Sequence, residues 1–169
     1  LRYENDGMMY VAYGDVVRQF ALDEAGVDHK WEIQANSSWV RDIELDSQGN
    51  VYLATDSGYL EKRSSKGEFI EELSIHDRRI EGMVIDSQDN LYTVSQDTTV
   101  KKTDTNGDLV WTFDNHADQV KDIVHDKQGN IYTISFDDTL KKIDQNGEEV
   151  WSRDFGEKGL GILVTSFEQ

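Results

Sequence analysis

The sequence predicts an all-β fold, a β-propeller of four four-stranded blades. Three observations carry that expectation: anchor residues return at a forty-position interval, each copy holds four short β-type runs, and Asp, Asn and Gly punctuate the runs. The interval is clearest between Ile80–Trp111 and Val120–Trp151, where Tyr92 to Tyr132, Gly107 to Gly147 and Trp111 to Trp151 are each forty positions apart. An earlier copy starts at Val40 and carries Asp46, Gly49-Asn50, Tyr52, Asp56, Leu60, Lys62 and Gly67. A worn first copy keeps Asp6-Gly7, Tyr10, Asp15, Val17, Gly26 and Trp31, with roughly one extra residue before Gly26.

Within the second copy the strands are expected over Val40–Leu45, Val51–Thr55, Tyr59–Arg63 and Glu68–Leu73. The first connection, Asp46-Ser47-Gln48-Gly49-Asn50, pairs an Asp that can accept backbone N–H groups with residues that tolerate positive φ. Asp89 stands where the other copies have Gly, and Asp also visits the left-handed region. The second connection is a tight hairpin centred on Asp56, Asp97 or Asp137. The third, such as Thr105-Asn106-Gly107, carries an Asn-Gly hairpin signal. The last joins one copy to the next through Asn36–Trp39, His76–Arg79 and His116–Gln119. Tyr52-Leu53-Ala54 and Ile131–Ile134 are nearly continuous apolar runs, as a strand covered on both faces requires. Leu140-Lys141-Lys142-Ile143 mixes polar with apolar residues, as a half-exposed outer strand does.

After the fourth copy, Leu160–Thr165 aligns with Val120–His125 and reads as one more opening strand. It is expected to complete the first blade, giving one domain over 1–169 with blades at 1–39 plus 160–166, 40–79, 80–119 and 120–159. Such closure removes an exposed sheet edge. Two other arrangements satisfy the same pattern: a head-to-tail homodimer forming a larger ring, or a fragment whose further blades lie in a parent chain.

Lys plus Arg number 17 against 34 Asp plus Glu, so the net charge is −17. That balance argues against nucleic acid, whose phosphates are bound through Lys and Arg, and against an anionic membrane surface. With no Cys there are neither disulfides nor thiolate metal sites. No apolar run reaches the length of a membrane-crossing helix. The chain begins at Leu1, which suggests a piece of a larger surface, secreted or virion-type protein with an extracytoplasmic location.

The stretches Asp-x-x-Gly-Asn-x-Tyr at 46–52 and 126–132 resemble the NHL-type propeller repeat. The stretches Asp-x-x-Gly-x-x-x-Trp at 104–111 and 144–151 resemble the quinoprotein-like, PQQ-type repeat. Together the resemblances imply a propeller scaffold, with no cofactor attached to the inference; function has to be read from a site.

In a propeller the loops entering the innermost strands form one face. Here that face is expected to carry Trp39, His76, Arg78, Arg79, His116 and Asp118 as ligand-binding residues. Trp39 and the Arg78-Arg79 pair do not recur between copies, and a Trp beside two Arg has the composition of a binding hot spot. His76 and His116 occupy equivalent positions four residues before an apolar one, where they read as solvated loop residues or, alternatively, as ligands near a channel mouth. The recurring Asp, Tyr and Trp residues read as turn and core structure. No nucleophile motif, phosphate loop or metal-spaced His pair occurs, so no catalytic residue, metal or cofactor is assigned. The expectation is a non-enzymatic module binding a protein or glycan on its loop face. The alternative is a small lactonase-like hydrolase or lyase with Asp42, Asp122 and His125 converging at the channel mouth.

Overall fold

The computed structural model describes residues 2–3, 7–24, 26–36 and 38–165. They form sixteen strands and, among the described residues, no helix. The first sheet is β1 (Arg2–Tyr3), β2 (Met8–Tyr13), β3 (Val16–Asp23) and β4 (Gly26–Gln34). The second is β5 (Val40–Leu45), β6 (Val51–Thr55), β7 (Tyr59–Arg63) and β8 (Phe69–Ser74). The third is β9 (Ile80–Ile85), β10 (Leu91–Ser95), β11 (Val100–Thr103) and β12 (Leu109–Phe113). The fourth is β13 (Val120–His125), β14 (Ile131–Ser135), β15 (Thr139–Ile143) and β16 (Glu149–Asp154). Each sheet is an antiparallel meander in sequence order, and its register differs little from one copy to the next.

The turns form as their side chains dictate. Asp46 Oδ1 accepts the N–H groups of Gln48 and Asn50 at 3.0 and 2.8 Å, and Asp86 and Asp126 repeat the arrangement. Asp89 has φ 63°, matching Gly49 at 76° and Gly129 at 78°, so an Asp does occupy the left-handed position in the third copy. A register shift follows the first residue of β5 and of β13, and a similar one lies at the end of β10. Bulges at matching places increase local twist and turn the strand toward the next sheet.

Three buried clusters are the three junctions between sheets. Tyr10 and Val17 meet Val40, Ile43, Val51 and Leu53; Tyr52, Ala54 and Leu60 meet Ile80, Met83 and Leu91; Tyr92, Val94 and Val100 meet Val120, Ile123 and Ile131. Aromatic side chains on the outer strands add a second fastening. Trp31 Nε1 donates to the Ser65 carbonyl and Trp111 Nε1 to the Gln145 carbonyl, each at 3.1 Å, and both rings lie against the glycine of the next sheet's turn. The second copy has Glu71 at this position. There Leu73, two residues on, takes the seat: a Cβ on Gly107 would lie 2.6 Å from its Cδ1.

The closing segment departs from the sequence expectation. The first sheet's edge is held by β1, through Arg2 opposite Tyr10 and Tyr3 opposite Met9. Leu160–Thr165 adds no strand to it. Instead Ile162 N donates to Asp122 Oδ2 on β13 at 2.9 Å, and Gly159 packs on Ile134. These contacts keep the segment beside the fourth sheet, standing next to β13 much as β9 stands next to β5, where Met83 N donates to Asp42 Oδ2 at 2.9 Å. Residue 166 and the first-copy anchor Asp6 lie outside the described residues.

Candidate functional site

The loops entering β5, β9 and β13 share one face with the hairpins that follow β6, β10 and β14. Each loop is fastened to its own sheet's hairpin, and the fastening explains where the two predicted histidines went. His76 Nδ1 donates to Asp97 Oδ2 at 2.9 Å, and Nε2 faces Thr93 Oγ1 at 2.9 Å. His116 repeats this with Asp137 at 3.1 Å and Thr133 at 2.8 Å. Because the carboxylate can only accept, Nδ1 carries the proton and Nε2 receives the Thr hydroxyl. The same carboxylates also accept the N–H of Asp77 or Ala117 in the loop, and Ser95 and Ser135 bond the Arg78 and Asp118 carbonyls. His76 and His116 are therefore buried, at 3% and 4% exposure, rather than solvated on the loop face.

Electrostatics follow from that burial. Burial opposes ionisation of Asp97, yet hydrogen bonds from His76 and Thr99 prevail and hold its carboxyl well below the usual carboxylate range. For Asp137 burial is likewise outweighed, by Thr139, the Ala117 N–H and His116, which leave it at about 2. Burial pushes the His116 imidazole below its ordinary value despite the pull of Asp137. A Thr–His–Asp chain has the connectivity of a nucleophile, a base and an orienting carboxylate. Here Thr93 and Thr133 are 1% and 0% exposed, so their hydroxyls cannot present themselves to a substrate. The relay fastens a loop.

The remaining predicted residues are placed differently. Trp39 is 60% exposed, with the Arg41 guanidinium 6.0 Å from its ring centroid. Arg41 grips Asp56 through two nitrogens, and Arg79, from the next loop, reaches the same carboxylate at 2.7 Å. The Arg41 hydrogen bonds hold the Asp56 carboxyl below its ordinary range. Arg79 also approaches Glu81 at 3.9 Å, and Glu81 accepts from Gln96 at 2.6 Å and from Lys121 at 2.7 Å. Lys121 and Lys158 each lie 4.9 Å from the Phe136 ring centroid. An unbroken chain of ion pairs and ring contacts thus crosses three sheets from Trp39 to Phe136. Arg78 is exposed on the same loop as Arg79, whereas Asp118 turns back to accept the Gln119 N–H at 2.7 Å. Sequence reasoning missed Arg41, Lys121 and Phe136. Arg41, Glu81 and Lys121 occupy one repeat position with three different side chains, and variation at a fixed position was the available signal.

Asp42, Asp122 and His125 do line one cavity, of about 440 Å³, together with Glu44, Leu163 and Val164. Both carboxylates spend oxygens on backbone N–H groups: Asp42 on Ile43 and Met83, Asp122 on Ile123 and Ile162. Among the described residues no three His, Asp or Glu side chains are grouped to hold a metal ion.

Comparison with solved structures settles the architecture. The chain superposes on the WD40 β-propeller domain of Doa1 with a TM-score of 0.70 at 20% identity, covering 83% of this chain and 51% of that one. It superposes on a chain of the mitotic checkpoint complex with a TM-score of 0.85 at 16% identity, covering 95% of this chain and 52% of that one. The fold is a β-propeller. The likeness to the WD40 propeller domain of Doa1 carries no NHL or quinoprotein subtype. This chain spans about half the length of the solved chains it matches. The sequence itself matches no protein-family model and none of the curated proteins. Its four sheets are blades, β5, β9 and β13 are inner strands, and the Trp39-to-Phe136 chain lies on the face where loops enter them.

Proposed function

We propose that this propeller is a non-catalytic protein-interaction module that grips a partner segment on its loop face. The observation that carries the reading is the exposed Trp39 ring, flanked by Arg41 and continued through Arg79 and Lys121 onto the Phe136 ring. Trp and Arg dominate binding hot spots because they bring large contact area with few rotatable bonds to lose, or planar hydrogen bonding. These side chains are pre-ordered by their ion pairs, so little conformational entropy remains to be lost on binding. The fitting partner is an extended protein segment that lays an apolar side chain on Trp39 and a carboxylate near Arg78 and Arg79. The NHL-type and quinoprotein-like turn spelling describes the scaffold and adds nothing about the partner.

Selection of a displayed random-peptide library on the immobilised protein, followed by fluorescence polarisation on the selected peptides, tests this reading. Trp39→Ala and Arg79→Glu should each weaken binding about ten-fold or more. Failure to select any peptide, or peptides that bind both variants as well as the native chain, would overturn it.

A further inference from the structure

The turns that follow β5, β9 and β13 lie at the opposite end of the sheets from the loop face. Between the second and third blades, two of these turns are clamped together by one carboxylate. Ser47 donates its N–H to Asp89 Oδ1 at 2.8 Å and its hydroxyl to Asp89 Oδ2 at 2.6 Å. Between the third and fourth blades the same donors recur without that acceptor. Ser87 is the equivalent of Ser47 one repeat on, and the position facing it, 42 residues later as Asp89 is from Ser47, is Gly129. Gly129 keeps the left-handed backbone of Asp89, with φ 78° against 63°, but has no side chain to offer. A cavity of about 190 Å³ opens there, lined by Ser87, Gln88 and Lys102 of the third blade and by Lys127, Gly129 and Gln145 of the fourth.

Two further differences between the blades make this cavity positive. Lys102 stands where the second blade has Lys62, whose Nζ lies 4.0 Å from both Asp46 and Glu71. The third blade has Trp111 in place of Glu71, and among the described residues Lys102 forms no ion pair; its Nζ lies 4.9 Å from the Tyr92 ring centroid. Lys127 replaces the turn serine of the other two blades and is exposed, again with no ion pair among the described residues. Asp86 also lines the cavity, but its oxygens already accept from the Gln88 and Asn90 N–H groups, the Asn90 amide and the Tyr92 hydroxyl. Two ammonium groups, a backbone N–H and a hydroxyl are all donors, and together they select a group that can only accept.

We infer that the turn-side cavity between the third and fourth blades binds a carboxylate from outside the chain, its two oxygens on Ser87 N and Oγ and its charge beside Lys102 and Lys127. The template is internal: Asp89 shows how one carboxylate seats on the N–H and hydroxyl of a turn serine. Hydrogen bonds to an ionised acceptor are roughly twice as strong as neutral ones. The net charge of −17 opposes an anion at long range, yet physiological salt screens exposed charges more than about 8 Å away. The carboxylate belongs to a small organic acid or to an acidic side chain of a protein segment, and the donors read the same group in either.

Titration of the nitrogen-15-labelled protein with succinate, and separately with the blocked peptide acetyl-Gly-Asp-Gly-amide, tests the assignment at the Ser87 amide resonance. Sodium chloride at equal ionic strength is the control. Saturable shifts with succinate alone would make the ligand a free acid, and saturable shifts with the peptide a protein side chain; either supports the site. Ser87→Ala and Lys102→Met, the latter keeping an aliphatic stem over Tyr92, should each raise the dissociation constant about ten-fold. Because Ser87 is exposed, its variant tests the site without touching the core. Gly129→Asp should supply the carboxylate from within, abolishing saturable binding of both probes and raising the thermal midpoint. Its Cβ would lie 2.9 Å from Gln145 Nε2, the far end of a flexible side chain that can swing aside. A Ser87 amide that shifts no more with either probe than with chloride, or a Gly129→Asp protein that binds as tightly as the native chain, would overturn the inference. Trp39→Ala should leave carboxylate binding unchanged, which keeps this result independent of the loop-face reading.

Discussion

The loop that enters the second blade and the loops that enter the third and fourth are fastened by different chemistry for the same task. In the third and fourth blades a buried His spans from the loop to a Thr of the second strand and an Asp of the hairpin. In the second blade the equivalents of that Thr and His are Leu53 and Asn36, and no such relay can form. There Glu61, fully buried, accepts the Asn36 N–H at 2.6 Å and pairs with Arg63, whose Nη2 donates to the Gln34 carbonyl at 3.2 Å. Lys101 takes the position of Glu61 in the third blade and donates to the Ile75 carbonyl at 2.7 Å. A propeller needs each incoming loop's backbone groups satisfied, because the loop lies over a packed junction. Either an Arg–Glu ion pair or a Thr–His–carboxylate relay serves, and the two should fail under different conditions.

The largest break comes from splitting the ion pair. Arg63→Ala leaves the Glu61 carboxylate buried without its partner and should cost about 3–5 kcal/mol. Urea unfolding would measure it, and a loss below about 1 kcal/mol would remove this pair from the fastening of the loop. Next is His116→Ala, which strands Thr133 Oγ1 and leaves Asp137 Oδ2 with only the Ala117 N–H; the expected loss is about 1–3 kcal/mol, read in the same way.

Acid should sharpen the contrast. Asp137 is at about 2 when folded, below an unfolded carboxyl near 3.9, so its contribution is fully present above about pH 4 and lost as pH falls toward 2. Asp97 is also depressed and acts in the same direction, over a window that reaches lower. His116 is depressed too, so below about pH 6.5 the unfolded chain takes up a proton that the folded chain refuses, and stability falls further. Stability should therefore decline from neutral pH downward, and His116→Asn should flatten the slope between about pH 5 and 7. An unchanged slope would remove His116 from the account. The smallest effect is Trp111→Phe, which keeps the ring stacked near Gly147 but deletes the bond to the Gln145 carbonyl; about 1 kcal/mol should be lost in thermal unfolding. The same change at Trp151, which has no such bond among the described residues, should cost less.

Much of the blade was legible because its determinants are local. The Asp46 turn closes within five residues, and the expected strands Val40–Leu45, Val51–Thr55 and Tyr59–Arg63 are found as stated. The third connection likewise holds in Asp104 and Asp144, each accepting N–H groups two and four residues on. The histidines were harder. Their partners lie 17 and 21 residues downstream, and both offsets recur one repeat later, a signal present in the sequence but mute about which groups face inward. The loop-face chain was less legible still, since Arg41, Arg79 and Lys121 meet across blades through Asp56 and Glu81, and no spacing rule links them.

By itself the sequence determined the repeat, its four strands and its turn chemistry, because these depend on hydrogen bonds and side-chain alternation within a few residues. Only the tertiary structure decided that Leu73 replaces the missing Trp, that the second blade is fastened by an ion pair, and that Leu160–Thr165 lies against Asp122 rather than in the first sheet. Each of those outcomes rests on which surfaces of neighbouring blades meet. That is a property of how four similar units stack, and no single unit contains it.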